Sequence, residues 1–344
     1  MERKVIALVS GGLDSLLATR LMQLQGLEVL PVHLVSPWGC DEKALEAVER
    51  QTGLPVRRIE RGTEYVSLVR NPVYGYGRSM NPCIDCRIFM FRQLAPLLEE
   101  TGAAAVVTGE VVGQRPMSQV RRHLRVIDEE SGLKGRILRP LSAKRLAPTE
   151  AEIRGIVNRD LLYDFAGRSR APQLALAARL GITEYRTPAG GCKLTTPGFA
   201  PRLRDFFAHY ADDAMEDAKL LNYGRHLRID HERKLIVGRN REENRILETY
   251  AAGPGAERAR LTAYVPNGFN GPTVLACGPV SDEVDETAGR AILRYARTQD
   301  APPDGFTIRV VGPEGERVIV AATALSEDEL ARLRIGHEEL PVLP

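Results

Sequence analysis

An apolar run that breaks into paired glycines and restarts as a helix leaves a chain few ways to fold. Residues 5–9, Val-Ile-Ala-Leu-Val, have the length of a strand buried on both faces. Ser10-Gly11-Gly12-Leu13-Asp14-Ser15 interrupts that run, and from there Leu16, Leu17, Leu21 and Leu24 recur at helical spacing. Such a turn is a ready anion site. Its glycines let the backbone approach phosphate oxygens, and the N–H groups of the first helical turn lack partners within the helix. Residues 28–35 and 55–59 read as further strands around a helix at 44–51, and residues 103–108 as another. Residues 139–142 end the last strand of this region. The expected fold class is α/β, a doubly wound parallel sheet with ligands beyond the carboxyl ends of its strands. That rule gathers the loop after Val9, the segment 33–36 and Thr108-Gly109-Glu110 around one crevice.

The 344 residues are 43% hydrophobic and 27% charged, the balance of soluble domains, and suffice for two or three of them. The formal charge of +2 hides an uneven spread, because residues 113–204 hold 18 Lys/Arg against 8 Asp/Glu. A basic middle points to a polyanionic partner, nucleic acid first, with a solvated Arg-rich surface as the plain alternative. Arg121-Arg122-His123-Leu124-Arg125 and Arg168-Ser169-Arg170 are its candidate phosphate contacts. The apolar run after Met1–Lys4 is too short for a signal-peptide core, and no run matches a membrane span. Five cysteines, odd in number and unevenly placed, do not form a secreted disulfide framework. A cytoplasmic location is expected.

Cys83 and Cys86 lie three apart at the start of a helix expected over 84–100, whose apolar face holds Ile88, Phe91, Leu94, Leu97 and Leu98. Both thiols face the same way. The positive helix end is expected to favour thiolate there, a placement for reactivity or metal ligation, with burial in the core as the alternative. Thr149 and Glu152 read as a capping box for a helix to about residue 159, and a second helix covers 171–180. Cys192 follows in the glycine loop Pro188-Ala-Gly-Gly191, which lets backbone approach a ligand.

The pattern S-G-G-x-D-S at Ser10–Ser15 resembles the PP-loop of the ATP pyrophosphatases, which split ATP between its α- and β-phosphates to adenylate a substrate. The resemblance implies an adenine nucleotide alpha hydrolase-like fold in which Ser10, Gly11, Gly12 and Ser15 hold the pyrophosphate. It further implies that Asp14 orients the phosphates through Mg²⁺ and that adenine rests near residues 32–34, with His33 a candidate contact. Asn81-Pro82-Cys83-Ile84-Asp85-Cys86 resembles the tRNA 2-thiouridylases, whose second cysteine, here Cys86, is catalytic. Those enzymes generally follow it with Asn, where this chain has Arg87.

Gly109-Glu110-Val-Val-Gly113-Gln114, continuing to Ser118-Gln119, is similar to the G-[DE]-x-x-G-Q-x-x-S-Q of 4-thiouridine synthetases, with one extra residue before Ser118. There the segment closes the nucleotide site, which implicates Gly109 and Gln114, with Ser118 and Gln119 as further contacts. Cys-x-x-Cys plus the distant Cys192 resembles the iron–sulfur-dependent tRNA thiolation enzymes, implying a [4Fe–4S] cluster on Cys83, Cys86 and Cys192 with an open fourth iron. Two alternatives stand beside it. One is a metal-free pair, Cys86 and Cys192 acting as nucleophile and persulfide donor; the other is zinc with a fourth ligand such as His123 or Cys40. Leu235-Ile-Val-Gly-Arg-Asn-Arg-Glu-Glu-Asn244 resembles the NFACT-R class of domains, associated with RNA binding, which makes Arg225, Arg228, Arg239 and Asn240 candidate RNA contacts.

The expected organisation is a PP-loop domain at 1–142, a helical basic segment at 143–215 carrying the third cysteine, and a smaller NFACT-R-like α+β accessory domain at 219–344. The function these resemblances imply is a tRNA sulfurtransferase that adenylates a uridine with ATP and replaces its carbonyl oxygen by sulfur. Its partners would be tRNA, sulfide or a separate sulfur carrier, and a second copy in a homodimer, with no membrane. The rival is a PP-loop ligase or amidotransferase acting on a small molecule, with structural zinc.

Overall fold

The computed structural model describes residues 3–39, 42–185, 192–210, 215–257, 259–297 and 305–336. The chain divides into two compact units, Met1–Thr196 and Pro197–Pro344. The first runs β1 (Lys4–Leu8), α1 (Leu13–Leu24), β2 (Glu28–Val35), α2 (Glu42–Thr52), β3 (Arg57–Glu60) and α3 (Gly62–Arg70). It continues with α4 (Cys83–Thr101), β4 (Val106–Thr108), α5 (Arg121–Glu130), β5 (Ile137–Leu138), α6 (Glu150–Ile153) and α7 (Ala171–Arg179). The strands lie in the order β3-β2-β1-β4-β5, and every pairing is parallel.

The period of two along β1 decides which helices cover which face. Val5, Ala7 and Val9 pack with Leu13, Leu17, Leu176 and Ala177 of α1 and α7. Ile6 and Leu8 turn the other way, onto Ile88, Phe91 and Leu94 of α4. Because β2 and β4 flank β1 on opposite sides, the chain reverses its direction of growth at β1, and the switch point, where such folds form their ligand crevice, falls at the carboxyl ends of β1 and β4. The parallel α/β fold expected from the sequence is thus present. The helix expected over 149–159 is not. Its capping box forms between Thr149 and Glu152, but α6 stops at Ile153 because Gly155 adopts φ +67°, and a 3₁₀ turn follows at Arg159–Leu161.

The second unit runs α8 (Ala200–His209), α9 (Met215–Leu220), β6 (Arg225–Arg228), β7 (Lys234–Val237), α10 (Arg241–Ala252) and β8 (Leu261–Pro266). It ends with β9 (Val274–Cys277), α11 (Asp282–Tyr295), β10 (Phe306–Gly312), β11 (Gly315–Ala321) and α12 (Glu327–Leu333). Its sheet is antiparallel, in the order β11-β10-β8-β9-β7-β6. One face packs Leu227, Leu235, Tyr264 and Ile308 against Ala288 and Ile292 of α11. No helix among the described residues is long and apolar enough to cross a membrane.

His226 on β6 is buried; its Nε2–H donates to the Tyr223 carbonyl at 2.9 Å, while Nδ1 has no partner. Burial, reinforced by Lys234 and Arg202, holds its pKa well below the ordinary value for histidine. The unfolded chain therefore takes up a proton near pH ~6.5 that the folded chain refuses. Stability from this group is complete above that pH and falls as the pH drops below it, by up to about 1.4 kcal/mol per pH unit. His226→Leu is expected to flatten this slope, read from unfolding midpoints of variant and wild type at pH 7.5 and 5.5.

Candidate functional site

The turn after β1 is built by contacts the sequence alone prescribes. Gly11 sits at φ +74°, and a Cβ there would lie 2.5 Å from the Ala44 Cβ, so only glycine fits against α2. Gly12 is the N-cap of α1 and offers no side chain, which leaves the first-turn N–H groups facing outward. Ser15 is buried; its hydroxyl donates to the Gly12 carbonyl at 2.9 Å and accepts the Ser10 N–H at 3.2 Å, closing the loop on itself. His33 at the end of β2 donates Nδ1–H to the Val9 carbonyl at 2.8 Å. Burial lowers its pKa, so the ring is neutral, and its unpartnered Nε2 is a free acceptor. Here His33 fixes the end of β1.

Asp14 is the acid of the crevice. Gln114 Nε2 donates to it at 2.8 Å, Arg170 pairs with it at 3.4 Å, and Gln173 in turn holds Gln114 at 3.0 Å. Gly109, just beyond β4, lies flat against the Asp14–Ser15 peptide, where a Cβ would come within 2.3 Å of Asp14 C and Ser15 N. Ser10, Gly11, Gly12, Asp14, Ser15, Gly109 and Gln114 thus surround one turn. Ser118 and Gln119, on the loop that follows, are both buried. Arg170 and Gln173 had no pattern that tied them to Asp14 across more than 150 residues.

The thiols occupy a second corner at the same edge of the sheet. Cys83 and Cys86 form the first turn of α4, and Cys86 N–H donates to the Pro82 carbonyl at 2.8 Å. Asp85 between them accepts Val73 N–H at 2.8 Å and Tyr74 N–H at 3.1 Å, which ties the preceding loop over the helix start. Met80 N–H donates to the Leu194 carbonyl at 3.2 Å and so brings the segment of Cys192 alongside. Cys192 lies within electrostatic reach of both Cys86 and Cys83. Gly190 and Gly191 fall outside the described residues, as does Cys40.

Cys86 is the most engaged of the three. Arg61 Nη1 donates to its sulfur at 3.4 Å, the Tyr65 hydroxyl lies at 3.3 Å, and Met90 Sδ at 3.8 Å. Arg61 is locked by Nε donating to the Leu34 carbonyl and by stacking over the Tyr65 ring. Tyr65 itself packs between Trp38 and Phe89. Neither residue was legible beforehand, although Arg61 follows β3, where the carboxyl-edge rule points. The thiol chemistry also departs from expectation. Burial and the neighbouring Cys86 push the Cys83 thiol up, outweighing Arg87 and Arg115, and burial pushes Cys192 up to about 11.

A buried chain of charges joins the two corners. Glu110 and Arg139 are almost fully buried; Arg139 Nε donates to Glu110 Oε2 at 3.0 Å and its terminal nitrogens fork onto Asp128 at 2.6 and 3.0 Å. Arg87, the residue after Cys86, reaches Glu110 Oε1 at 3.4 Å. Burial alone would raise the Glu110 carboxyl, but Arg139 and Arg87 bring it below its ordinary value. Arg139→Ala leaves Asp128 without its forked partner and Glu110 with Arg87 alone, and is expected to lower the unfolding free energy by about 3–5 kcal/mol, measured by urea titration.

Among the described residues no three His, Cys, Asp or Glu side chains converge tightly enough for a single metal ion. His123 has both ring nitrogens engaged, by Met117 O at 2.6 Å and Arg122 Nε at 3.0 Å. In the second unit, Arg228 forks onto Asp205 at 2.9 and 2.6 Å and Asn240 caps α10 through Glu243 N–H. Arg225 stacks over Tyr295 and Arg239 binds Glu243, so all four have internal partners. Cys277 is buried in β9.

Fold and site together define the first unit as a PP-loop-like parallel α/β domain with a thiol corner. Residues 1–145 match the family model described as thiamine biosynthesis protein (ThiI), and residues 224–334 match that of the NFACT protein RNA binding domain. The chain thus carries a ThiI-family domain followed by an NFACT-type domain. It is 31% identical over 149 residues to the probable tRNA sulfurtransferase of Thermococcus kodakarensis, covering 41% of this chain and 37% of that one. It is 28% identical over 175 residues to the probable tRNA sulfurtransferase of Methanothermobacter thermautotrophicus, covering 48% and 42%. With the tRNA-specific 2-thiouridylase MnmA of Azorhizobium caulinodans it shares 27% identity over 254 residues, covering 66% and 60%. The matches to the two sulfurtransferases span less than half of those proteins' length. A solved 4-thiouridine synthetase–RNA complex with bound ATP aligns at TM-score 0.34 with 24% identity, over 52% of this chain and 51% of that one.

Proposed function

We propose that this chain is an ATP-dependent tRNA sulfurtransferase that makes thiouridine. One observation carries the reading: a phosphate-type turn and three thiols sit at the carboxyl edge of the same sheet, joined through Gly109, Glu110 and Arg87. The relatives' names support the tRNA substrate, as do the basic middle and the NFACT-type match.

In this reading the outward N–H groups of α1 and the Ser10–Gly12 backbone receive the β- and γ-phosphates of ATP. Catalysis rests on charge stabilisation by donors already in place. Asp14, held by Gln114, would hold Mg²⁺, which would offset phosphate charge. The target uridine leaves its stack to reach the crevice. Its carbonyl oxygen attacks the α-phosphorus, and pyrophosphate departs. Sulfide, free or from a separate carrier, then adds at the activated carbon, and AMP leaves with the former carbonyl oxygen.

The three cysteines fit a [4Fe–4S] cluster better than a single ion. Arg61 acts electrostatically on Cys86 and Cys192, and Arg87 and Arg115 act on Cys83, cations that would offset the charge of a thiolate-bound cluster. Cys83, Cys86 and Cys192 would hold it, and the cluster would supply an open iron for exogenous sulfide. The nearness of Cys86 to Cys192 also suits a metal-free pair, and iron and sulfide assays on anaerobically purified protein separate the two. The decisive experiment for the function is ATP–pyrophosphate exchange with and without bulk tRNA. Exchange that tRNA stimulates supports the reading; exchange stimulated only by a small acid or amine favours the ligase alternative.

A further inference from the structure

The site contains a cation that the proposed reaction has not yet used. Arg87 is held by one nitrogen only: Nε lies 3.4 Å from Glu110 Oε1, and the side chain is one-quarter exposed. No carboxylate or carbonyl among the described residues engages its two terminal nitrogens, so the fork end of the guanidinium is available for an oxyanion. Glu110 cannot drift, because Oε2 is fixed by Arg139 Nε at 3.0 Å and Thr108 Oγ1 at 3.3 Å, and Arg139 is anchored on Asp128. Glu110 Oε1 is buried without a hydrogen bond, and Arg87 is the charge that answers it.

The location matters as much as the geometry. Arg87 follows Cys86 directly and acts electrostatically on Cys83. Glu110 follows Gly109, whose backbone touches the Asp14–Ser15 peptide. The free guanidinium fork therefore stands between the turn that would bind phosphates and the thiols that would deliver sulfur. A buried carboxylate that is anchored by Arg139 on one oxygen and holds a one-quarter-exposed arginine at such a point with the other suits a binding device, since a purely structural ion pair would enclose both partners.

We propose that Arg87 is a substrate-binding residue whose terminal nitrogens take a phosphoryl oxygen, and that Glu110 is its positioning residue. The inference rests on the sulfurtransferase reading for its substrate. That oxygen belongs either to the nucleotide, as the α-phosphate, or to the RNA backbone beside the flipped uridine, and binding measurements distinguish the two.

The experiment compares wild type, Arg87→Ala, Arg87→Lys and Glu110→Gln in the full chain. It measures affinity for a non-hydrolysable ATP analogue, affinity for bulk tRNA, and the unfolding midpoint. Arg87→Ala is expected to weaken one of the two ligands by about 10- to 100-fold, the worth of charge-assisted hydrogen bonds. Arg87→Lys should restore part of the loss, and Glu110→Gln should weaken the same ligand less. Loss confined to the ATP analogue assigns the α-phosphate, and loss confined to tRNA assigns the RNA backbone. If Arg87→Ala leaves both affinities unchanged, the proposal is wrong, whatever happens to the unfolding midpoint. Wild type tests the functional reading separately: if it binds the ATP analogue but not tRNA, thiolation of tRNA fails while the nucleotide arm still decides Arg87.

Discussion

Gly109→Ala is expected to abolish ATP–pyrophosphate exchange, lowering it at least about 100-fold, while the NFACT-type unit stays folded. A methyl at this position would stand 2.3 Å from Asp14 C and Ser15 N and 2.5 Å from Asp14 O, all backbone atoms that cannot rotate away. Either the end of β4 or the first turn of α1 must move, by an amount on the scale of 1 Å that a positioned site does not tolerate. Circular dichroism should show native helix content, because the buried faces of β1 and β4 point elsewhere. Normal exchange by the variant would mean that the turn after β1 is not the nucleotide cradle.

Cys86→Ser carries the second large effect. Thiolation should fall by about a thousandfold or more, while affinity for an ATP analogue stays within about twofold of wild type. The separation is expected because the sulfur of Cys86 is bound by Arg61, Tyr65 and Met90, none of which touches the Ser10–Ser15 turn. Cys83→Ser and Cys192→Ser should behave alike if all three sulfurs serve one centre. Parallel loss of ATP binding would instead mark the corner as a scaffold.

The first half of the site was legible because it is local. A strand, two glycines and a helix start within a dozen residues specify their own geometry, and Gly11 at φ +74° is what that pattern requires. The parallel sheet was legible for the same reason. The second half was only partly so. Cys83 and Cys86 announce themselves by spacing, but nothing in the residues between them and Cys192 says that the chain returns. That information lies in the packing of α7 on α1 and in the Met80–Leu194 hydrogen bond. Arg61 and Tyr65 carry no motif; they were chosen by the carboxyl end of β3 and by the Trp38–Phe89 wall.

Two misreadings share a cause. The helix expected to reach residue 159 ends early because a single glycine adopts a left-handed conformation, which outweighs a good capping box. The thiol at Cys83 is raised, where a helix end would lower it, because burial and the neighbouring Cys86 disfavour the thiolate. In both cases a favourable local signal was overruled by the surroundings. In the second unit, the candidate RNA contacts Arg228 and Asn240 also have partners within the fold, Asp205 and the start of α10.

The central claim is that ATP activates the uridine oxygen itself, and an isotope experiment tests it directly. tRNA carrying ¹⁸O in the target uridine carbonyl is incubated with ATP, sulfide and the protein, and the products are read by mass spectrometry. The account predicts one thiouridine and one ¹⁸O-labelled AMP per turnover, with unlabelled pyrophosphate. Label in inorganic phosphate accompanied by ADP, or thiouridine formed with unlabelled AMP, would contradict it.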